Sequence, residues 1–441
     1  MAMERDCDIA IIGAGVLGTC LAHWISSLYS ARVCLIDASG DVASHTTSRN
    51  TGVIHRPFYL DPVKKGTFAR AASLSYPMWM KFARDFSLPW EQVGTVEVAL
   101  SDRDLDVISS YSEYAESNGM SREEYEVLDT HGLQAIEGSV KALGAFFSKT
   151  DTSVDYGLMT RAICGTLSGV STVLGRSVVR IVEGEGYNLT LSDGSTLRAR
   201  TVFNCAGANS LRIAHSMGLA RDLSVFFFRG DYWRLRQDAL PSIRHNIYSV
   251  PRFLKFPFLD PHFIVRYSGV RELGPNAALV AGPYVYSGFS ESPLQALSWL
   301  FERPVLTRLS LLTNLEFLGM VRSEWESSTS PEGMVRRLSS FIPSLKASMI
   351  SGPGISGVRG SVVSRSGFVP EAVMITDGSS LHVINYNSPG ATGAPAFSAY
   401  VLIRAVSQGL LREPERNMSR LGWDLDAVRE AMPDRGQGMT A

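Results

Sequence analysis

Six residues near the start of the chain constrain its fold more than any others. Gly13-Ala14-Gly15-Val16-Leu17-Gly18 follows an apolar run, Cys7 to Ile12, with the length and character of a buried parallel strand. Beyond it, Leu17, Leu21, Trp24, Ile25 and Leu28 recur at the spacing of one helix face. Arg32 to Ile36 reads as a second strand and ends at Asp37. Strand, glycine turn, helix and strand make one βαβ unit of about 30 residues. In such a unit Gly13 permits the tight turn, Gly15 lets a pyrophosphate approach the backbone, and Gly18 lets the helix pack closely. Free N–H groups and the helix dipole then favour phosphate at Val16 and Leu17. Asp37 lies 24 residues after Gly13, where an acid accepts hydrogen bonds from ribose hydroxyls. The unit predicts a bound dinucleotide, without choosing between flavin and nicotinamide.

The rest of the chain is long enough for two lobes. It has 441 residues, 45% apolar and 19% charged, the balance of a globular protein. A net charge of −1 gives no field for nucleic acid, which is excluded as a partner. Five scattered cysteines make no metal spacing and read as buried reduced thiols, so no metal is expected. The N-terminus is too polar for a signal peptide, which predicts a cytoplasmic protein with at most peripheral contact at the inner membrane. Strand-like runs at 173–182 and 201–208, a hairpin around Ser192-Asp193-Gly194, and 381–387 followed by helical spacing at 396–406 read as further pieces of the nucleotide lobe. Aromatic-rich segments lie between them, with strand-like pieces at 225–235 and 263–270 and a helical stretch at 290–347. The expected fold is α/β with an α+β insert. Residues 1–84, 151–219 and 346–410 form a discontinuous Rossmann-like nucleotide lobe. Residues 85–150 and 220–345 form an antiparallel-sheet substrate lobe, and the charged segment 411–441 is expected to fray.

The loop after the second strand bears on the cofactor, although by itself it also reads as a polar surface loop. Ser44-His45-Thr46-Thr47-Ser48-Arg49-Asn50-Thr51-Gly52-Val53-Ile54-His55 is dense in hydroxyls, with an amide, a guanidinium and glycine, suited to wrapping a flavin's pyrophosphate and ring edge. With that loop, the chain resembles the D-amino-acid-oxidase-like flavoproteins, glutathione-reductase-like in their nucleotide lobe. Within them it is similar to the L-2-hydroxyglutarate dehydrogenase/oxidase family over nearly all of residues 6–405. The opening fingerprint, Asp37 and the 48–55 loop carry the resemblance, followed by Tyr59, Pro62 and Lys65. So do Phe228-Arg229-Gly230-Asp231-Tyr232, Ile247-Tyr248-Ser249-Val250-Pro251, His262, Gly274-Pro275-Asn276, Gly357-Val358-Arg359 and Asn387-Ser388-Pro389-Gly390-Ala391-Thr392. The sequence departs from the family at Arg56-Pro57, where Ala-Gly is usual, and some members carry histidine at the Arg49 position. It departs also at 253–262, where Phe253, Lys255, Phe256 and Phe258 are unusually aromatic and basic.

The resemblance implies FAD, met by Ala38, Thr47, Ser48, Arg49, Asn50, Gly52 and Val53 from the first segment. Val179, Ala206 and Gly207 would meet it from the second, and Gly357, Arg359 and Ser388 to Thr392 from the third. It implies oxidation of a small 2-hydroxy acid, a dicarboxylate, with electrons passed to a quinone, an electron-transfer protein or O₂. Such chemistry needs a base for the hydroxyl proton and a cation for the carboxylate. His55 and His262 both suit the base, since imidazole accepts a proton near neutrality. Arg359 suits the carboxylate through its planar fork. Lys65 and Arg229 are secondary cations for a distal carboxylate or the flavin, although Arg229 has Asp231 to pair with. Tyr248 is a hydrogen-bond donor to substrate. The N–H groups after Ser388 would stabilise negative charge on a reduced ring. Two other readings stand beside this one: an amine or amino-acid oxidase on the same scaffold, and a protein that binds FAD without this oxidation.

Overall fold

In the computed structural model, which describes residues 5–239, 242–253 and 256–433, the chain opens with β1 (Arg5–Ile12), α1 (Val16–Leu28) and β2 (Val33–Ile36). β2 is buried at all four positions, which is why it reads as an unbroken apolar run. β1 pairs in parallel with β2 on one side and with Thr196–Asn204 on the other. The parallel sheet continues through Val170–Val173 next to β2 and Ser380–Asn385 next to Thr196–Asn204. Antiparallel strands Val373–Asp377, Gly186–Leu191 and Val178–Gly184 complete eight strands. The sheet therefore gathers three stretches of sequence far apart along the chain. The glycine turn enforces the contact between strand and helix. A methyl group on Gly18 would lie 1.9 Å from the Gly13 carbonyl oxygen, and one on Gly13, at φ +106°, 2.4 Å from that of Cys205.

Three helices cover one face of this sheet. α1, α2 (Gly66–Asp85), which follows the short β3 (Val53–Ile54), and the helix Gly390–Ser407 share one core cluster with Trp24, Trp79 and Phe397. The Trp24 indole donates to the Pro395 carbonyl at 2.9 Å and that of Trp79 to Thr392 at 2.9 Å. The last segment joins this core instead of fraying over its described part. Trp423 is buried beside Trp24, Trp79 and Phe82, and Leu425–Ala431 is helical. Apolar residues dispersed in a charged stretch close over α1 and exclude water from it.

A second eight-stranded sheet is built on β4 (Thr95–Ala99), which precedes α3 (Asp102–Ser117). β4 runs parallel to Asn246–Ser249 and antiparallel to Gly144–Ser148. A four-stranded sheet joins Ala278–Val280, Ser224–Gly230, Gly357–Ser364 and Gly367–Phe368. The single strand-like piece expected at 225–235 is two strands, Ser224–Gly230 and Trp233–Leu235, which part at Asp231 and enter different sheets. Ile350–Pro353 and Gly357–Ser364 were grouped by sequence with the nucleotide lobe. They pair with Trp233–Leu235 and Ser224–Gly230, two strands from the segment 220–345. The helical stretch resolves into four helices: Pro293–Leu300, Val305–Leu312, Leu315–Thr329 and Pro331–Leu338. Among the described residues no helix is long and apolar enough to cross a membrane, and no cluster could hold a metal ion.

Candidate active site

A cavity of about 860 Å³ takes in both the N-terminus of α1 and the polar side chains of the second lobe. That is the size of a ligand site. Gly15, Val16 and Leu17 line it at α1, and Ser388 to Thr392 line it at the helix Gly390–Ser407. Neither helix has a side-chain cap at its N-cap residue or an acid in its first turn, so both present positive dipole ends to whatever fills the cavity. A methyl group on Gly15 would come 3.2 Å from the Thr47 hydroxyl, which already accepts from the Val16 N–H at 3.0 Å. Asp37 takes the Ala14 N–H at 2.7 Å and the Ser39 N–H at 2.8 Å, shaping the turn from beneath. Two buried polar atoms on the wall, the Tyr386 hydroxyl and His262 Nε2, have no protein partner among the described residues. Uncapped helix ends and unpartnered polar atoms on one wall fit a ligand with both phosphates and ring heteroatoms, as FAD has.

The loop 46–55 is a braced structure. The Asn50 side chain donates to the carbonyls of Thr46 and Thr47 and accepts the Gly52 N–H at 2.8 Å. Gly52 sits at φ +70°, where a methyl group would strike the Val154 carbonyl. Arg49 packs over the Tyr286 ring at 4.3 Å and donates to Ser44 and Ser356 carbonyls. Gly357 is glycine because any Cβ would lie 1.8 Å from the Arg49 oxygen. From the other lobe Arg266 reaches the Asn50 carbonyl at 2.8 Å and the Thr51 carbonyl at 2.5 Å, and pairs with Glu272 at 2.7 Å. The Thr46 hydroxyl donates to the Val358 carbonyl at 2.7 Å.

Thr47, Arg49, Asn50, Gly52, Val53, Gly207, Gly357 and Arg359 reach the cavity wall as well. Gly13, Gly18 and Asp37 support the turn from behind it. Ala38 and Ala206 stand back, and the Ser48 hydroxyl turns inward to the Ala43 carbonyl at 2.6 Å. Val179 does not reach the site: it is 57% exposed on the antiparallel edge strand Val178–Gly184, at a register shift that leaves it without a partner on Gly186–Leu191.

His55 faces the cavity at the end of β3. Its Nδ1 meets Asp151 Oδ2 at 2.8 Å, and its Nε2 lies 3.5 Å from the Tyr248 hydroxyl. Asp151 is fully buried; its Oδ1 accepts the Arg56 N–H at 2.9 Å and the Ser148 hydroxyl at 2.6 Å. A carboxylate at Nδ1 fixes the tautomer with the proton there, leaving Nε2 as an acceptor toward the cavity. His262 differs. Its Nδ1 is held by the Asp260 carbonyl at 2.9 Å and its ring stacks on Tyr248 at 3.7 Å. Burial pushes it down to about 3, so it remains neutral and buttresses Tyr248. Burial, with Asp151 close by, pushes the Tyr248 phenol well above its ordinary value and keeps it a hydroxyl donor.

The cations divide. Arg359 lines the cavity over the Phe258 ring at 4.7 Å and donates to the Pro257 carbonyl at 2.5 Å. Lys65 also lines it, and burial and then Arg359 hold its ammonium below the ordinary lysine range. Arg229 does not line it. It is buried in a pairing with Asp231 at 2.8 Å and bonds to Gly288 and Ser328, a structural cation. Arg56 is likewise turned away, onto Tyr76 at 4.4 Å and Glu124 at 3.0 Å. Pro57 contributes its carbonyl to the Asn118 amide at 2.9 Å. The departure at 56–57 therefore shapes packing and not the cavity wall. Phe256 and Phe258 line the cavity, whereas Lys255 lies outside the described residues. Asp151, Arg266 and Glu97 escape the sequence reading; for Asp151 the only signal is a lone acid between two strand-like pieces.

A profile of the family described as FAD dependent oxidoreductase, DAO, matches residues 8–402. The L-2-hydroxyglutarate dehydrogenase, mitochondrial, of Caenorhabditis elegans is 27% identical over 417 residues, covering 91% of this chain and 93% of that protein. The L-2-hydroxyglutarate dehydrogenase of Escherichia coli K12 is 27% identical over 409 residues, covering 90% and 92%. In fold, the chain superposes on the FAD-bound L-alpha-glycerophosphate oxidase of Mycoplasma pneumoniae with a TM-score of 0.72 at 16% identity, over 96% of this chain and 98% of that one. Glycine oxidase from Geobacillus kaustophilus gives 0.67 at 13% identity, over 92% and 95%. With a match spanning the glycine turn, the braced loop and both uncapped helix ends, the chain belongs to the FAD dependent oxidoreductase family, DAO.

Proposed function

We propose that this chain oxidises L-2-hydroxyglutarate at C2 to 2-oxoglutarate, with His55 as the base. The observation that carries the reading is the His55–Asp151 pair, which leaves Nε2 free to accept a proton at the cavity wall beside Tyr248. The names of the 27% identical relatives support the substrate. Arg359 and Lys65 supply cations for the C1 carboxylate, and holding it fixes which face of C2 is presented. The C2 hydroxyl proton passes to His55 Nε2 while Tyr248 donates to the same oxygen. FAD, when bound, supplies the acceptor for the hydride leaving C2. Gly390 and its neighbours, at an uncapped helix end on the cavity wall, would favour negative charge on a reduced cofactor. The electron acceptor this reading calls for is a quinone, an electron-transfer protein or O₂. We place the reaction in the cytoplasm as a proposal of its own, with peripheral contact at the inner membrane if a quinone is the acceptor.

The test is anaerobic titration of the FAD-loaded protein with L-2-hydroxyglutarate, its D enantiomer and a panel of amino acids. Bleaching of the flavin by the L-hydroxy acid alone supports the reading. Bleaching by an amine or amino acid alone overturns it in favour of an amine oxidase. No bleaching by either leaves a protein that binds FAD without this oxidation.

A further inference from the structure

Glu97 is an acid where β4 would be expected to bury an apolar side chain. Val96 and Val98 face the core of the second lobe, and alternation turns Glu97 the other way, onto the cavity wall. It is 5% exposed and lies in register with Tyr248 on the neighbouring parallel strand, so the two side chains stand side by side on one face. Tyr248 in turn stands 3.5 Å from His55 Nε2, so Glu97 lies one strand beyond the reacting groups. The Tyr111 hydroxyl of α3 donates to Glu97 Oε1 at 2.7 Å, and the Glu97 side chain lines the cavity. An acid buried in this way without a paired cation is costly unless it remains protonated or a ligand completes it.

The surroundings decide between those two states. Facing Glu97 are Asp104 and Tyr111 from α3, Asp151 from the turn after Gly144–Ser148, Tyr59 from the segment before α2, and Tyr248. The charged neighbours that act on it, Asp151 and Asp104, are both acids, and the tyrosines are held neutral by burial. Burial first, and then these acids, push the Glu97 carboxyl up to about 8, against a lowering by the Tyr111 bond. These surroundings favour the protonated acid, which can donate. An ionised acid here would instead repel any anion placed beside it.

Resting on the proposed oxidation of a hydroxy acid, we infer that Glu97 and Tyr111 form the subsite for the end of the substrate remote from the oxidised carbon, the neutral Glu97 carboxyl donating to a second carboxylate. Arg359 and Lys65 take the first carboxylate, His55 and Tyr248 meet the hydroxyl, and Glu97 meets the far end. The acid form accepts a dicarboxylate and the ionised form rejects it. No bond is made or broken at Glu97; its proton is shared with the bound carboxylate.

The test measures binding without turnover. Calorimetric titration of the FAD-loaded full chain with glutarate and with pentanoate, a monocarboxylate of equal length, is run from pH 6 to 9.5. In the unaltered protein glutarate is preferred at pH 6.5, and the preference falls about tenfold per pH unit above about 8 as Glu97 loses its proton. Glu97→Gln, whose amide still donates, makes the preference independent of pH. Tyr111→Phe removes a bond that favours the ionised acid, so the fall begins at higher pH. A pH-independent preference in the unaltered protein, no binding of glutarate at pH 6.5, or an unchanged profile in Glu97→Gln overturns the subsite. If glutarate follows the predicted profile but L-2-hydroxyglutarate does not reduce the flavin, the subsite stands and the proposed oxidation falls. Reduction with a flat profile is the reverse.

Discussion

Asp151→Asn should abolish most of the reaction while leaving the fold and the cofactor in place. Asp151 Oδ1 accepts from the Arg56 N–H at 2.9 Å and the Ser148 hydroxyl at 2.6 Å. An asparagine must therefore keep its oxygen there. Turning the amide round would set its NH₂ against two donors, leaving buried groups unsatisfied at about 1–3 kcal/mol each. In the favoured orientation the NH₂ faces His55 Nδ1, which becomes the acceptor, and the proton moves to Nε2. A base whose cavity-facing nitrogen is already protonated accepts nothing. General-base catalysis contributes about 10²- to 10⁴-fold, or about 2.7–5.4 kcal/mol of barrier. Serine hydrolases whose acid–histidine pair is broken by the same exchange lose about 10⁴-fold. The assay is anaerobic stopped-flow reduction of the bound flavin by L-2-hydroxyglutarate, with FAD content read from absorbance before mixing. The double variant with His55→Ala should be no more than about tenfold slower than His55→Ala alone, because the two residues act as one unit. Flavin reduction by Asp151→Asn within tenfold of the unaltered rate would refute the reasoning. So would additive losses in the double variant.

Three further outcomes follow from the geometry. Arg359→Lys replaces a fork with a point charge and should weaken L-2-hydroxyglutarate binding about 10- to 100-fold, at 1.4 kcal/mol per tenfold, with FAD retained; unchanged affinity removes Arg359 from the carboxylate site. Arg56→Ala breaks the pair with Glu124 and the packing on Tyr76, and should cost about 2–3 kcal/mol in denaturant unfolding, discounted because Glu124 is partly exposed. Its order of preference among hydroxy acids should not change, and an altered order would show that Arg56 acts on the substrate site. Trp423→Ala should lose about 3–5 kcal/mol, read as a fall in melting temperature, because the indole is fully enclosed between α1 and α2.

What the sequence made legible was local. The βαβ unit announces itself because strand, turn glycines and helix face are adjacent in the chain, and each glycine has a steric reason printed in the turn. The loop ending at His55 is legible for the same cause. Asp151 is 96 residues from the histidine it orients, and Arg266 is 216 residues from the loop carbonyl it holds. Neither residue type is unusual where it stands, and only the fold brings the pairs together. Arg229 could have gone either way: a cation beside Asp231 on a strand was as consistent with pairing as with catalysis, and burial favoured pairing. Trp423 was obscured by its charged neighbours, since a tail with few apolar residues reads as solvated until a helix surface is found for them.

The substrate question shows why adjacency in sequence is a poor guide to adjacency at a site. Arg56 is bonded to the residue proposed as the base, yet the two side chains take opposite sides: Val53 and His55 line the cavity, and Ile54 and Arg56 do not. With His55 on the cavity, Arg56 must face the protein interior, where it finds Glu124 and Tyr76. Glu97 lies far along the chain, yet parallel register puts it beside Tyr248 and so within reach of a substrate held at His55. Register also makes the position exacting. A slip of one residue between β4 and Asn246–Ser249 would turn Glu97 into the apolar core of the second lobe and bring Val96 or Val98 to the cavity wall. The cost of burying an unpaired acid against that core disfavours the slip, so the side chain that reads the substrate also opposes misregistration of its own strand.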